Sequence, residues 1–133
     1  MIIGDDSWGD YVFEAKIKVI ERSTKDNHCG FHLRKGEGGS NFFVLLPDKG
    51  IQALVNSEGK LKTHKMISNM EFYKDEWYSF KIICKGQKIE VLVNGESIKE
   101  VADGNINSKG GLDVWAYNCH IAIDDVKVTE IKK

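Results

Sequence analysis

Two aromatic residues and a carboxylate alternate along one short segment near the end of the chain: Asp113, Trp115 and Tyr117, with apolar residues between them. Residues two apart on a β-strand share a face, so these three side chains should point away from the core. His32 and Arg34 show the same spacing in an earlier segment. Aromatic rings stack on the C–H face of a sugar, and charged side chains hydrogen-bond its hydroxyls. The five residues together therefore predict a glycan-binding face.

A structural interpretation of the same residues stays open. Trp115 and Tyr117 could be half-buried packing residues under a loop, with Arg34 paired to Asp113. The residue types alone do not separate this arrangement from a binding face.

Catalysis is not predicted. Glycoside hydrolysis needs two carboxyl groups about 5 to 9.5 Å apart across a cleft. Glu14 and the group Asp5, Asp6 and Asp10 instead fall on an edge and an entry turn. The sequence also lacks a phosphate loop, a dinucleotide fingerprint and a Ser-His-Asp arrangement.

The sequence contains one candidate metal-binding site. Asp124 and Asp125 could hold a structural calcium ion together with backbone carbonyls. The alternative is a bulge or edge at which Asp125 hydrogen-bonds a turn. His28 and His32 do not suit a zinc ion, because four residues of strand separate them by about 13 Å.

The elements that position these residues are strands, because the dominant hydrophobic period is two. We expect one all-β sandwich domain over residues 1–133. Asn94-Gly95 predicts a type I′ hairpin turn. The predicted strands are 11–19, 28–34, 41–46, 51–56, 60–66, 77–85, 88–94, 97–101, 111–117 and 120–131.

The composition argues against some classes of binding partner. Nineteen basic and twenty acidic side chains give a net charge of −1, which does not suit nucleic-acid binding. No run of 18 apolar residues is present, so we expect no membrane-spanning helix. Cys29 and Cys84 fall on apolar strand positions and are interpreted as buried thiols. A Cys29–Cys119 disulfide stays open, and the odd cysteine count argues against a full disulfide framework.

Several segments, in order along nearly the whole chain, resemble the concanavalin A-like (laminin-G-like) jelly-roll superfamily. Within it the chain resembles fructan-binding-type carbohydrate modules and 3-keto-disaccharide hydrolase-like domains. The matching segments are SWGDYVFEAKI (7–17), GFHLR (30–34), WYSFKI (77–82), IEVLVNG (89–95), GGLDVW (110–115) and IAIDDVKV (121–128).

The resemblance implies a jelly-roll β-sandwich of two antiparallel sheets, one concave and one convex. It places a ligand site on the concave sheet or on the loops at its rim, with Arg34, Asp113 and Trp115, to which strand phase adds His32 and Tyr117. The run of three acidic residues on one strand that marks related jelly-roll glucanases is missing. A structural calcium ion near Asp124 and Asp125 would fit the family.

The expected function is a non-catalytic carbohydrate-binding module for a polysaccharide or oligosaccharide. One alternative is a structural or protein-interaction domain of laminin-G-like type, and another is a keto-glycoside hydrolase-like enzyme. We expect a monomer or weak dimer, with one N-terminal edge strand short or missing. The resemblance further implies an extracellular or cell-surface domain of a larger protein.

Overall fold

The computed structural model describes strands and turns. Within the described residues, no helix is long and apolar enough to cross a membrane. The described residues are 2–3, 9–22, 28–36, 39–46, 50–57, 60–68, 73–86, 88–102, 111–117 and 119–131.

Eleven strands within these ranges form two antiparallel sheets. One sheet has six strands in the order β1-β10-β3-β4-β5-β6, and the other has five in the order β11-β2-β7-β8-β9. The strands are β1 (Ile2–Ile3), β2 (Tyr11–Arg22), β3 (His28–Gly36), β4 (Gly39–Leu46), β5 (Gly50–Ser57), β6 (Lys60–Ser68), β7 (Trp77–Lys85), β8 (Lys88–Val93), β9 (Glu96–Ala102), β10 (Gly111–Tyr117) and β11 (Cys119–Glu130).

All ten predicted strands are confirmed, and only their ends differ. The two-residue β1 was not predicted; it pairs with β10 at the edge of the six-stranded sheet. The prediction of a single domain over 1–133 with an incomplete N-terminal edge stays a prediction.

The core lies between the two sheets and contains the apolar side chains of the alternating strands. Phe31 of β3 is fully buried, and its ring contacts Phe13 of β2 and Phe80 of β7 edge to face, at centroid distances of 5.3 and 5.4 Å. These three rings join the six-stranded sheet to the five-stranded one. Among the residues whose side chains the structure describes, the other buried apolar ones are Tyr11, Ala15, Ile17, Val19, Cys29, Leu33, Tyr78, Ile82, Cys84, Ile89, Val91, Val93, Leu112 and Val114.

The β8–β9 turn is the hairpin that the sequence predicts. Asn94 and Gly95 have φ values of 51° and 87°, and a type I′ turn requires positive φ at both central residues. The Asn94 amide donates to the carbonyl of Ser79 at 2.8 Å, and Asn94 Oδ1 accepts from the Ser79 amide at 2.9 Å. The turn is thus tied to the neighbouring β7.

Candidate functional site

The pairing of β3 with β10 brings the predicted site residues together. Asp113 lies opposite His32, and Trp115 lies opposite Gly30. Paired residues of adjacent antiparallel strands point to the same side of a sheet. The alternate residues Cys29, Phe31 and Leu33 of β3, and Leu112 and Val114 of β10, are buried in the core. Asp113, Trp115, Tyr117 and His32 therefore share the outer face of the six-stranded sheet, the side away from the core.

Trp115 is held in place by its neighbours across the strand pair. Its ring meets that of His32 edge to face, with centroids 5.8 Å apart and planes at 77°. Gly30, directly opposite, has no side chain and leaves room for a large ring. The Trp115 side chain is half-buried, as the packing interpretation expected.

Two ring nitrogens on this face are buried: His32 Nδ1 and Trp115 Nε1. Neither atom has a hydrogen-bond partner, although both residues make other contacts. Burying a polar atom without a hydrogen bond costs stability. The edge-to-face contact between the two rings contributes to positioning both side chains.

Tyr117 differs from Trp115 in its exposure. Its side chain is 53% exposed, more than that of Trp115. Asp113, at the other end of β10, is half-buried. Arg34 lies in β3 two residues beyond His32, but its side chain is outside the described residues. Its proposed pairing with Asp113 is therefore left as a prediction.

Asp124 and Asp125 lie at a bulge in β11, where the register with β2 shifts before Lys127. Asp125 has a φ of 52°, and its amide donates to Asp124 Oδ1 at 2.8 Å. Lys16 Nζ lies 3.0 Å from Asp125 Oδ2. The bulge that we considered as the alternative is thus present, and a lysine already neutralises one carboxylate.

The calcium site itself stays a prediction. The described ranges contain no cluster of three or more His, Cys, Asp or Glu residues suited to a metal ion. Asp5 and Asp6, the other acidic residues of the predicted entry turn, lie outside those ranges.

The interpretation of Cys29 and Cys84 as buried free thiols is confirmed. Cys119, the half-buried first residue of β11, is also a free thiol, and it forms a hydrogen bond with Cys29. That hydrogen bond is the main reason why the pKa of Cys119 is lowered to about 7. It also raises the pKa of Cys29, as does burial. The cysteine count leaves a Cys29–Cys119 pairing open, whereas nothing in the sequence predicts the acidity of Cys119.

A second exposed aromatic was not singled out from the sequence. Trp77 is 44% exposed, and it precedes the buried Tyr78, so it lies on the outer face of the five-stranded sheet. Lys18 Nζ lies 4.9 Å from the centre of its ring. One face of the Trp77 ring is therefore occupied by a cation–π contact. Strand phase around Tyr78 could have revealed this residue.

Solved lectin structures share this architecture. Sheep galectin-11 in complex with glycerol superposes with a TM-score of 0.76 at 15% identity, covering 97% of this chain and 95% of that one. Galectin LEC-6 of Caenorhabditis elegans gives 0.73 at 14%, covering 98% and 89%. The carbohydrate-binding module CBM66 of Bacillus subtilis gives 0.69 at 11%, covering 90% and 74%. At these identities the likeness establishes the fold.

The fold is a concanavalin A-like jelly roll, as the sequence motifs indicated. No curated protein sequence matches the chain. A family model described as a 3-keto-alpha-glucoside-1,2-lyase-like domain matches residues 1–129. That match spans almost the whole chain, so the protein belongs to the 3-keto-alpha-glucoside-1,2-lyase-like domain family.

Proposed function

We propose that this lectin-like domain is a non-catalytic module that binds a polysaccharide or oligosaccharide on the outer face of β3 and β10. The observation that carries the proposal is the exposure of Tyr117 on the face that it shares with Trp115, His32 and Asp113. An exposed aromatic ring beside polar groups offers a sugar both a stacking surface and hydrogen-bond partners.

Each side chain has a distinct role in the proposal. Tyr117 stacks on a sugar ring, and the half-buried Trp115 supplies a fixed second apolar surface. The Asp113 carboxylate accepts hydrogen bonds from hydroxyls, and His32 holds the Trp115 ring. Arg34 is included on its strand phase alone and donates to hydroxyl or carboxylate oxygens. That this face is concave remains part of the proposal.

The test compares two exposed aromatic residues on opposite sides of the sandwich. Binding of the purified chain to a glycan array identifies a ligand, and calorimetry then measures its Kd. Tyr117→Ala should weaken binding by about 5- to 30-fold, which corresponds to roughly 1–2 kcal/mol for a lost ring contact. Trp77→Ala, on the outer face of the other sheet, should leave Kd unchanged.

Two results would contradict this assignment. A glycan that binds Tyr117→Ala as tightly as the wild type removes the β3–β10 face from the proposal. An array on which the wild type binds nothing removes carbohydrate binding itself. In that case a laminin-G-like interaction domain becomes the better account, and light scattering that shows a tight dimer would support it over the predicted monomer or weak dimer.

A second candidate function is cleavage of keto-glycosides, and the description of the family favours it. On the candidate face, Asp113 lies opposite His32, and a carboxylate and an imidazole are suitable groups for moving protons. Incubation with a 3-keto-glucoside and detection of released sugar tests this activity. If the chain releases product, and if Asp113→Asn and His32→Gln each abolish that release, the enzymatic function replaces the non-catalytic proposal.

The cellular setting is also part of the proposal. A polysaccharide-binding module acts where polysaccharide is present, which agrees with the predicted extracellular or cell-surface location and with membership of a larger protein. Fractionation of the native protein tests the location.

A further inference from the structure

Two cysteines from the two sheets meet at one end of the sandwich. Cys29 lies in β3 of the six-stranded sheet, opposite Ala116 of β10. Cys119 begins β11 of the five-stranded sheet, opposite Arg22 of β2. The chain passes from one sheet to the other between Tyr117 and Cys119. Strands β3 and β11 are in contact there, and Cys119 packs against the buried core that contains Cys29.

The two thiols differ in acidity and in access. The hydrogen bond with Cys29, helped by the backbone of Tyr117, lowers the pKa of Cys119 to about 7 although partial burial opposes it. The nucleophilic form of a cysteine is the thiolate, so Cys119 is the reactive member near neutral pH. Cys29 is fully buried, and solvent reaches the pair only through the half-buried Cys119.

We propose that Cys119 is a modification site that reacts with low-molecular-weight disulfides and passes the bond to Cys29, which joins β3 to β11. In the first step the Cys119 thiolate attacks one sulfur of the small disulfide, forms a mixed disulfide and releases one small thiolate. In the second step the Cys29 sulfur loses its proton and attacks the Cys119 sulfur, and the second small thiolate leaves with that proton. The protein loses two electrons, and the small disulfide gains them as two thiols.

The fold gives the bond a measurable consequence. The bridge would close a loop of roughly 90 residues and so restrict the unfolded chain strongly. It would also connect the two sheets, which otherwise contact each other through side-chain packing. We expect the oxidised protein to melt roughly 5 °C or more above the reduced protein.

The test uses the full chain with oxidised glutathione near pH 7.5, followed by intact mass and non-reducing peptide mapping. The wild type should pass through one glutathione adduct and end two hydrogens lighter, with Cys29 and Cys119 in one linked peptide pair. Cys84→Ala, which alters the third cysteine in the core, should react in the same way. Cys119→Ser should give neither product, and Cys29→Ala should stop at the mixed disulfide.

Several outcomes would overturn the proposal. These are a persistent adduct on the wild type, a bridge that includes Cys84, a linkage between two chains, and thiols that react only after denaturation. A lower melting temperature for the bridged protein would also overturn it, because the native geometry would then resist the bond. The wild-type peptide map decides the matter even if Cys29→Ala, an alteration in the core, fails to fold.

Discussion

Replacement of Phe31 by alanine tests how the two sheets are held together. Phe31 is fully buried and makes edge-to-face contacts with Phe13 and Phe80 of the opposite sheet. Truncation of a buried phenylalanine costs about 3–5 kcal/mol, and two aromatic contacts place this site near the upper end of that range. A domain of this size has a total stability of roughly 5–15 kcal/mol, so the variant should be marginally folded.

A gentler substitution isolates the aromatic contribution. Phe31→Leu keeps most of the volume and should cost about 1–3 kcal/mol. In a double-mutant cycle with Phe80→Leu, the coupling energy should be about 0.5–1.5 kcal/mol, the range for an aromatic pair. The matched control is a cycle with Val126→Ala on β11. Val126 is 41% exposed, so its effect should simply add to that of Phe31→Leu.

Urea unfolding followed by tryptophan fluorescence and circular dichroism measures these free energies. If Phe31→Ala lowers the free energy of unfolding by less than about 1.5 kcal/mol, the reasoning is refuted, because truncation of a buried residue that joins two sheets should cost more than that. A coupling energy near zero between Phe31 and Phe80 would show that only burial matters and that the ring geometry contributes nothing.

Three further predictions concern a turn, a buried hydroxyl and the acidic thiol. Gly95→Ala should destabilise by about 1 kcal/mol in urea, because its φ is 87° although the space around it is open; an unchanged midpoint would contradict this. Tyr78→Phe removes the oxygen that accepts from the Tyr73 amide at 2.7 Å, at a cost of about 1–2 kcal/mol. Burial raises the pKa of Tyr78, so ionisation of its hydroxyl should lower the stability of the wild type as pH rises above about 10, the unfolded value, and Tyr78→Phe should lack this contribution. Alkylation of Cys119 by iodoacetamide should reach half its maximal rate near pH 7, and in Cys29→Ala this midpoint should rise toward that of an ordinary thiol.

The strands could be predicted from the sequence because each alternates apolar and polar residues over enough positions to show a period of two. In β7 the burial pattern alternates along almost the whole strand. The two residues of β1 are too few to show a period, and their pairing depends on β10 at the far end of the chain. The bulge at Asp125 was foreseen only as an alternative, since the left-handed residue is not glycine.

The candidate site was predicted in part for the same reason. Strand phase alone groups Asp113 with Trp115 and Tyr117, because they lie on one strand. Whether His32 joins them depends on the pairing of β3 with β10, and these strands are neighbours in the sheet but far apart in sequence. The motif resemblance supplied that adjacency. Local periodicity could not supply it, nor could it show that Cys29 and Cys119 touch across two sheets.

Trp115 satisfies both interpretations that its residue type left open. Its ring is half-buried against His32, as a packing residue would be, yet it lies on the outer face of the sheet. A ring that is already fixed loses little conformational entropy when a ligand contacts it. Packing of Trp115 against His32 is thus compatible with ligand recognition, and it lowers the entropic cost of binding. Loss of His32 should therefore weaken glycan binding by loosening the Trp115 ring, even though the imidazole need not touch the sugar.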